Sequence, residues 1–226
     1  MSMASTVPPS PAPFRPRYVA DVLADWGIPP ERMLMDPPPG TATEADLVAW
    51  NERQDWNGLC ELVAGTLVEK PMGFPEGHVA AQLIFLVQLF LEDHRIGILA
   101  GPDAPTRFAP DQIRLPDVTF VALARLPGGM IPRDAVSRIP PNLVVEILSP
   151  SNTRAEMAQK RTEYFAAGVE LVWQVDPDTR SAEVYTSPTA VTAVPPDGSL
   201  DGGTVLPGLS IPLARLFAGF DPPPAP

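Results

Sequence analysis

Lysine is nearly missing from this chain. Of its 226 residues only Lys70 and Lys160 are lysine, and arginine supplies the rest of the 16 cations. Each lysine therefore carries more information than usual. Cysteine occurs once, at Cys60, which excludes an internal disulfide and a cysteine-built metal cage. His78 and His94 are the only histidines, so a zinc site with several imidazoles is excluded as well. Aromatic residues make up 7% of the chain, too few for the stacking platforms that a two-carboxylate glycosidase would use. The N-terminus has no charged-then-apolar leader pattern. The longest apolar run, 79–91, is interrupted by Gln82 and Gln88 and is shorter than the ~20 residues that cross a bilayer. These gaps lead us to expect a cytoplasmic protein with no membrane partner. The net charge of −11 argues against loose affinity for phosphate backbones but leaves room for a local basic cleft.

Proline, by contrast, is abundant: there are 31, concentrated in 7–16, 221–226 and the connecting segments. The two end stretches read as extended or disordered tails. The expected organisation is a proline-rich extension with a short helix over 1–40, one domain over 41–217 and a tail over 218–226. Within the domain, Thr41 and Glu44 stand at capping-box spacing before a helix. Residues 60–73 read as a strand hairpin. Residues 76–97 give the strongest helix, closed by Gly97, and 98–115 should hold one or two strands. Further strands are expected at 116–123, 142–149, 170–176 and 181–187. A helix over 154–167 opens with a capping box of Thr153 and Glu156 and closes at Gly168. Interleaved helices and strands make the class α/β or α+β around a mixed sheet flanked by helices.

One residue breaks the pattern. In the apolar run 143–148, Glu146 stands among Val144, Val145, Ile147 and Leu148. Asp117 begins the preceding strand. If these strands pair antiparallel, the start of one meets the end of the other, and the two carboxylates converge. Buried isolated carboxylates are costly and two of them repel. A divalent cation such as Mg²⁺ or Mn²⁺ would resolve both problems and could activate water against a phosphoryl group. The following helix has an inward stripe of Met157, Arg161, Tyr164 and Phe165, with Lys160 at its border. From there an ammonium could reach the carboxylates and stabilise charge on a pentacoordinate phosphate.

The segments 60–73, 115–123, 143–177 and 205–217 resemble the Uma-two family of bacterial endonucleases, within the restriction-endonuclease-like PD-(D/E)XK superfamily. The resemblance covers roughly 41–217. It implies a nuclease fold and a metal site at Asp117 and Glu146, with Glu61 as a further acidic ligand and Lys160 as a catalytic lysine displaced from position 148, which is leucine. Ala64 and Thr66 stand where relatives commonly show Asp and Glu. By the same resemblance the expected activity is Mg-dependent hydrolysis of DNA phosphodiesters, with a homodimer expected by analogy. His78, Gln159 and Arg161 are candidate substrate contacts.

Rival readings exist for each residue. Glu146 can be a strand acid paired with an arginine, Asp117 can bond backbone N–H groups after Pro116, and Lys160 can be a solvated helix residue. On those terms the chain is a catalytically inactive nuclease-fold module for interaction or assembly.

Overall fold

The computed structural model describes residues 19–220 except 57 and 72. The proline-rich stretches 7–16 and 221–226 lie outside the described residues. The expected helix start at 17–18 does too, and the helix is described as α1 (Val19–Trp26).

A two-residue loop, Ala64-Gly65, joins β1 (Leu59–Val63) to β2 (Thr66–Lys70). Both loop residues have positive φ, 45° and 72°, the sign that matches a hairpin turn to the twist of its strands. β4 (Thr106–Ala109) and β5 (Gln112–Arg114) extend this hairpin into a four-stranded antiparallel sheet in the order β2-β1-β5-β4. The larger sheet contains β3 (Gly97–Ala100), β6 (Val118–Ala122), β7 (Leu143–Ile147), β8 (Leu171–Asp176), β9 (Ser181–Tyr185) and β10 (Val191–Val194). Its order is β10-β9-β8-β7-β6-β3. Only β7 and β8 run parallel, and α4 (Arg154–Ala166) makes the crossover between them. α2 (Glu44–Asn51) and α3 (Phe74–Asp93) precede this sheet in the chain, and the short ribbon of β11 (Ser199–Asp201) and β12 (Ser210–Pro212) with α5 (Leu213–Leu216) follows it. The fold is thus α+β, with mixed sheets flanked by helices.

Alternation along the strands decides what each face meets. Leu143, Val145 and Ile147 of β7 and Leu171, Trp173 and Val175 of β8 join the main core with Val79, Leu83 and Val87 of α3. Val144 and Val172 point the other way and pack with Phe108 and Tyr164 beneath α4. The period of two therefore sends Glu146 to the α4 side with Val144. Asp117, two residues before Thr119 and three before the core residue Phe120, falls on the same side.

Several local expectations shift. The first capping box is Thr43 with Asp46. Thr41 instead donates to Pro38 O at 2.7 Å, and Glu44 is drawn to Arg107 and Arg138. α3 ends at Asp93, where His94 Nδ1 lies 2.9 Å from Phe90 O. Gly97 belongs to β3, and a Cβ there would meet the Phe120 ring at 2.3 Å. Residues 98–115 hold parts of three strands rather than one or two. Thr153 caps α4 as expected, but Glu156 turns to Arg32 instead of closing the box. At 20 residues α3 is longer than the apolar run that suggested it, so the length exclusion drawn from 79–91 does not extend to the whole helix. Its apolar inner face is accounted for by burial against the sheet.

The segment before α2 packs on the domain. Gly27 has φ 62°, and a Cβ there would lie 2.5 Å from Ala155 Cβ and Glu156 N. Its carbonyl accepts from Thr153 Oγ1 at 2.6 Å. Leu34 N donates to Leu67 O, and Met33 bridges Val68. Arg32, on a single 3-10 turn, grips Glu156 with two 2.9 Å contacts from Nη1.

Candidate active site

β6 and β7 pair antiparallel with Val118 opposite Val145. One step further along that register sets Asp117 opposite Glu146. Both lie on the α4 face, and both are buried, at 6% and 4% exposure. The expected convergence of these two carboxylates is therefore present.

Glu146 is held from the helix side. Lys160 Nζ lies 3.3 and 3.2 Å from its two oxygens, and the Tyr164 hydroxyl donates to Oε1. Glu156, Met157, Lys160 and Tyr164 form the buried stripe of α4, with successive members three or four residues apart. Lys160 thus sits at the centre of the inward face, not at its border. Burial foremost, then the negative charges of Asp117 and Glu61, raises the Glu146 pKa against the opposing pull of Lys160 and Lys70. Burial raises the Tyr164 hydroxyl as well, reinforced by Glu146 and Glu61.

Glu61, fully buried on β1, stands behind Lys160. Its Oε1 accepts from Lys160 at 3.3 Å and Leu115 N at 3.1 Å, and its Oε2 accepts from Arg114 Nη1 at 3.0 Å. Burial would raise its pKa, but Lys160, Arg114 and the Leu115 N–H outweigh that and hold it well below the usual carboxylate range. Arg114 is clamped on its other edge by Glu163, at 2.8 and 3.0 Å. Glu61, expected as a further acidic ligand, has Oε1 engaged by Lys160 and Leu115 N and Oε2 by Arg114.

Asp117 has two partners of its own. Oδ2 accepts from Ile147 N at 2.7 Å, and Oδ1 pairs with Lys70 Nζ at 2.8 Å. Both lysines of the chain therefore meet these carboxylates. Asp117, Glu146, Lys70, Lys160 and Arg32 line a cavity of about 10 Å³, the room that one water takes. Glu76, in the first turn of α3, also lines it, and its buried Oε2 has no hydrogen-bond partner.

This donor set fits a hard divalent ion. Two carboxylates on adjacent strands face one cavity, and an unsatisfied carboxylate oxygen lies on its wall. Magnesium needs only one or two protein carboxylates, because waters and substrate phosphate complete its shell. Among the described residues no group of three or more His, Cys, Asp or Glu side chains is arranged to hold a metal by itself.

The remaining candidates stand apart from the cavity. His78 Nε2 is 3.3 Å from Ala218 O, and its ring packs near Phe220. Gln159 bonds Glu163 at 3.0 Å. Arg161 lies 4.2 Å over the Tyr185 ring, donates to Gln174 and leaves its buried Nε unpartnered. It lines a groove of about 670 Å³ between α4 and β8–β9, which shares Asn152 with the carboxylate cavity. The groove is the larger space, but the two buried carboxylates and both lysines gather at the small cavity. Asp176 caps the N–H groups of Asp178 and Thr179, so it serves the hairpin turn as expected.

Sequence reasoning missed Lys70, Arg114, Tyr164, Glu76 and Arg32. Lysine scarcity was a signal for Lys70. Tyr164 read as core, and its ring is indeed buried against Phe108, but its hydroxyl belongs to the site.

Comparison with known proteins agrees with this architecture. No curated protein matches the chain. A solved structure described as "a putative nuclease belonging to DUF820 from Anabaena variabilis ATCC 29413" superposes with a TM-score of 0.65 at 20% identity, covering 76% of this chain and 96% of that one. At that identity the likeness establishes the fold. Residues 45–214 match the family Uma2, described as "Putative restriction endonuclease". That match takes in Glu61, Lys70, Asp117, Glu146 and Lys160, and the chain belongs to the Uma2 family.

Proposed function

We propose that the protein is a Mg²⁺- or Mn²⁺-dependent endonuclease that hydrolyses DNA phosphodiester bonds in the cytoplasm. The observation that carries this reading is the convergence of Asp117, Glu146 and Lys160 on one small cavity. Asp117 and Glu146 would hold the ion, with Glu76 available on the wall. When bound, the ion would supply Lewis-acid polarisation of a phosphoryl oxygen and lower the pKa of water.

The chain's own residues do the rest. Tyr164 donates to Glu146 and fixes the orientation of its carboxylate. Lys160 keeps a full positive charge: burial would lower its pKa, but Glu146 and Glu61 outweigh that and raise it. A fixed ammonium beside the cavity stabilises negative charge that develops on phosphate oxygens in the transition state. Glu61, itself held by Arg114, fixes that ammonium from the buried side. Arg161, in the adjoining groove, would meet a substrate strand laid along it.

A second reading, an inactive module of the same fold, is favoured by the extent to which the chain's own cations already neutralise these carboxylates. The two are separated by incubating plasmid and single-stranded DNA with purified protein in Mg²⁺, Mn²⁺ or EDTA, beside Asp117→Asn and Lys160→Ala. Ion-dependent cutting that both substitutions abolish is the expected result. Cutting that survives both would refute the site, and inactivity of the wild type on every DNA would leave the module.

A further inference from the structure

Asp117 already has a cation beside it. Lys70 Nζ lies 2.8 Å from Asp117 Oδ1, and both side chains are nearly buried, at 6% and 8% exposure. Its other contacts are neutral carbonyls, Leu115 O at 2.6 Å and Pro102 O at 3.4 Å. Lys160, on α4, is by comparison gripped by two carboxylates from strands, Glu61 of β1 and Glu146 of β7. Lys70 is the last residue of β2 and pairs with a single carboxylate, where Lys160 pairs with two.

Resting on the reading of Asp117 and Glu146 as the ion-binding pair, we propose that Lys70 is a displaceable occupant of the ion position. Its ammonium shields Asp117 in the resting protein, and a divalent ion enters by pushing it aside. Space is the first reason. A cavity of about 10 Å³ admits one water-sized sphere, whereas a magnesium ion keeps several waters. Something in the wall must move, and Lys70 is the group that occupies an Asp117 oxygen the ion would need. Charge is the second. Asp117 and Glu146 face two ammonium groups, which cancel the two carboxylate charges and leave a divalent ion little net attraction. Removing Lys70 from Asp117 restores the negative charge that attracts the ion. The ammonium competes with the ion for Asp117, so the apparent affinity for the ion is lower than that of the bare carboxylate pair. No bond is made or broken; only the Lys70 rotamer changes.

The scarcity of lysine makes the test direct. Lysine labelled with ¹³C at Cε and ¹⁵N at Nζ gives two side-chain signals in this chain, one from Lys70 and one from Lys160. Mg²⁺ titration should move the Lys70 signal in step with binding and the Lys160 signal less. By calorimetry, Lys70→Gln, which removes the charge but keeps a donor for Leu115 O, should bind Mn²⁺ at least tenfold more tightly than the wild type. Ion binding with an unmoved Lys70 signal and no gain in Lys70→Gln overturns the proposal. Glu146→Gln separates the two levels of the argument. Undiminished Mn²⁺ binding in that variant refutes the ion-binding pair itself, whereas loss of binding there leaves the Lys70 result to be judged on its own. If neither the wild type nor Lys70→Gln binds the ion, both ideas fall. Should Lys70→Gln not fold, the labelled wild type decides.

Discussion

Lys160→Met tests the electrostatic architecture of the site without reference to catalysis. Methionine keeps the length and apolar stem of lysine and deletes the charge. Lys160 Nζ is 3.2 Å from Glu146 and 3.3 Å from Glu61. At an effective dielectric constant of about 20, each contact is worth about 5 kcal/mol of attraction before desolvation is counted. Burying the ammonium opposes this by several kcal/mol, so the net loss at pH 8 should be about 3–5 kcal/mol, as for other buried pairs broken on one side. That is a large part of the stability of an ordinary domain, about 5–15 kcal/mol. The pH dependence has a definite sign. Glu146 is already raised, mainly by burial, and loses its nearest cation. Between its unfolded value of about 4.3 and its folded value, the native state binds a proton that the unfolded chain does not. The variant therefore loses stability as pH rises through that window and regains it as pH falls. Lys160 is also the charge that most lowers Glu61, so in the variant that carboxyl rises as well and the stability its lowered pKa contributes above the unfolded value is reduced. Both carboxyls therefore make the deficit grow with pH and shrink toward pH ~5. Urea unfolding followed by circular dichroism at pH 5, 6, 7 and 8, in EDTA, measures it. Adding Glu146→Gln to Lys160→Met should recover much of the deficit. A deficit under about 1 kcal/mol at pH 8, or one that does not change with pH, would refute the reasoning.

Two further outcomes follow from the β1–β2 hairpin. Ala64 has φ 45° in the turn, where asparagine is better tolerated than alanine, so Ala64→Asn should raise stability by about 0.5–1 kcal/mol in urea titration; a lower midpoint would contradict the turn geometry. Burial pushes the Cys60 thiol up to about 12, helped by Glu69 and Glu61. At pH 8 it should react with a thiol reagent at least about a hundredfold more slowly in the native protein than in urea, and rapid native labelling would mean that the hairpin opens freely.

The backbone of the site was legible because its signals are local. The apolar run around Glu146 and the proline before Asp117 mark two strands, and strand pairing does the rest. Lys160 was legible as to helix but not as to depth, because its central place depends on Glu61 and Glu146 drawing an ammonium inward. Glu61 was legible as an acid and not in its role. What turns it from the cavity is Arg114, 53 residues away in sequence. Tyr164 was hidden because a buried aromatic at helical spacing satisfies a core pattern whatever its hydroxyl does. The capping boxes show the same limit. Thr41-Glu44 and Thr153-Glu156 have the right spacing, but each glutamate prefers a distant arginine, and spacing alone does not register that competition.

Arg32 has a practical consequence for anyone isolating the folded unit. The family match starts at residue 45, yet Arg32 forms part of the cavity wall and neutralises Glu156 at 1% exposure. A recombinant fragment trimmed to the match would discard the guanidinium and leave an unpaired anion inside α4. Chimeras and truncations should therefore keep the sequence from Gly27 onward, because the border of the functional unit lies upstream of the border of the resemblance.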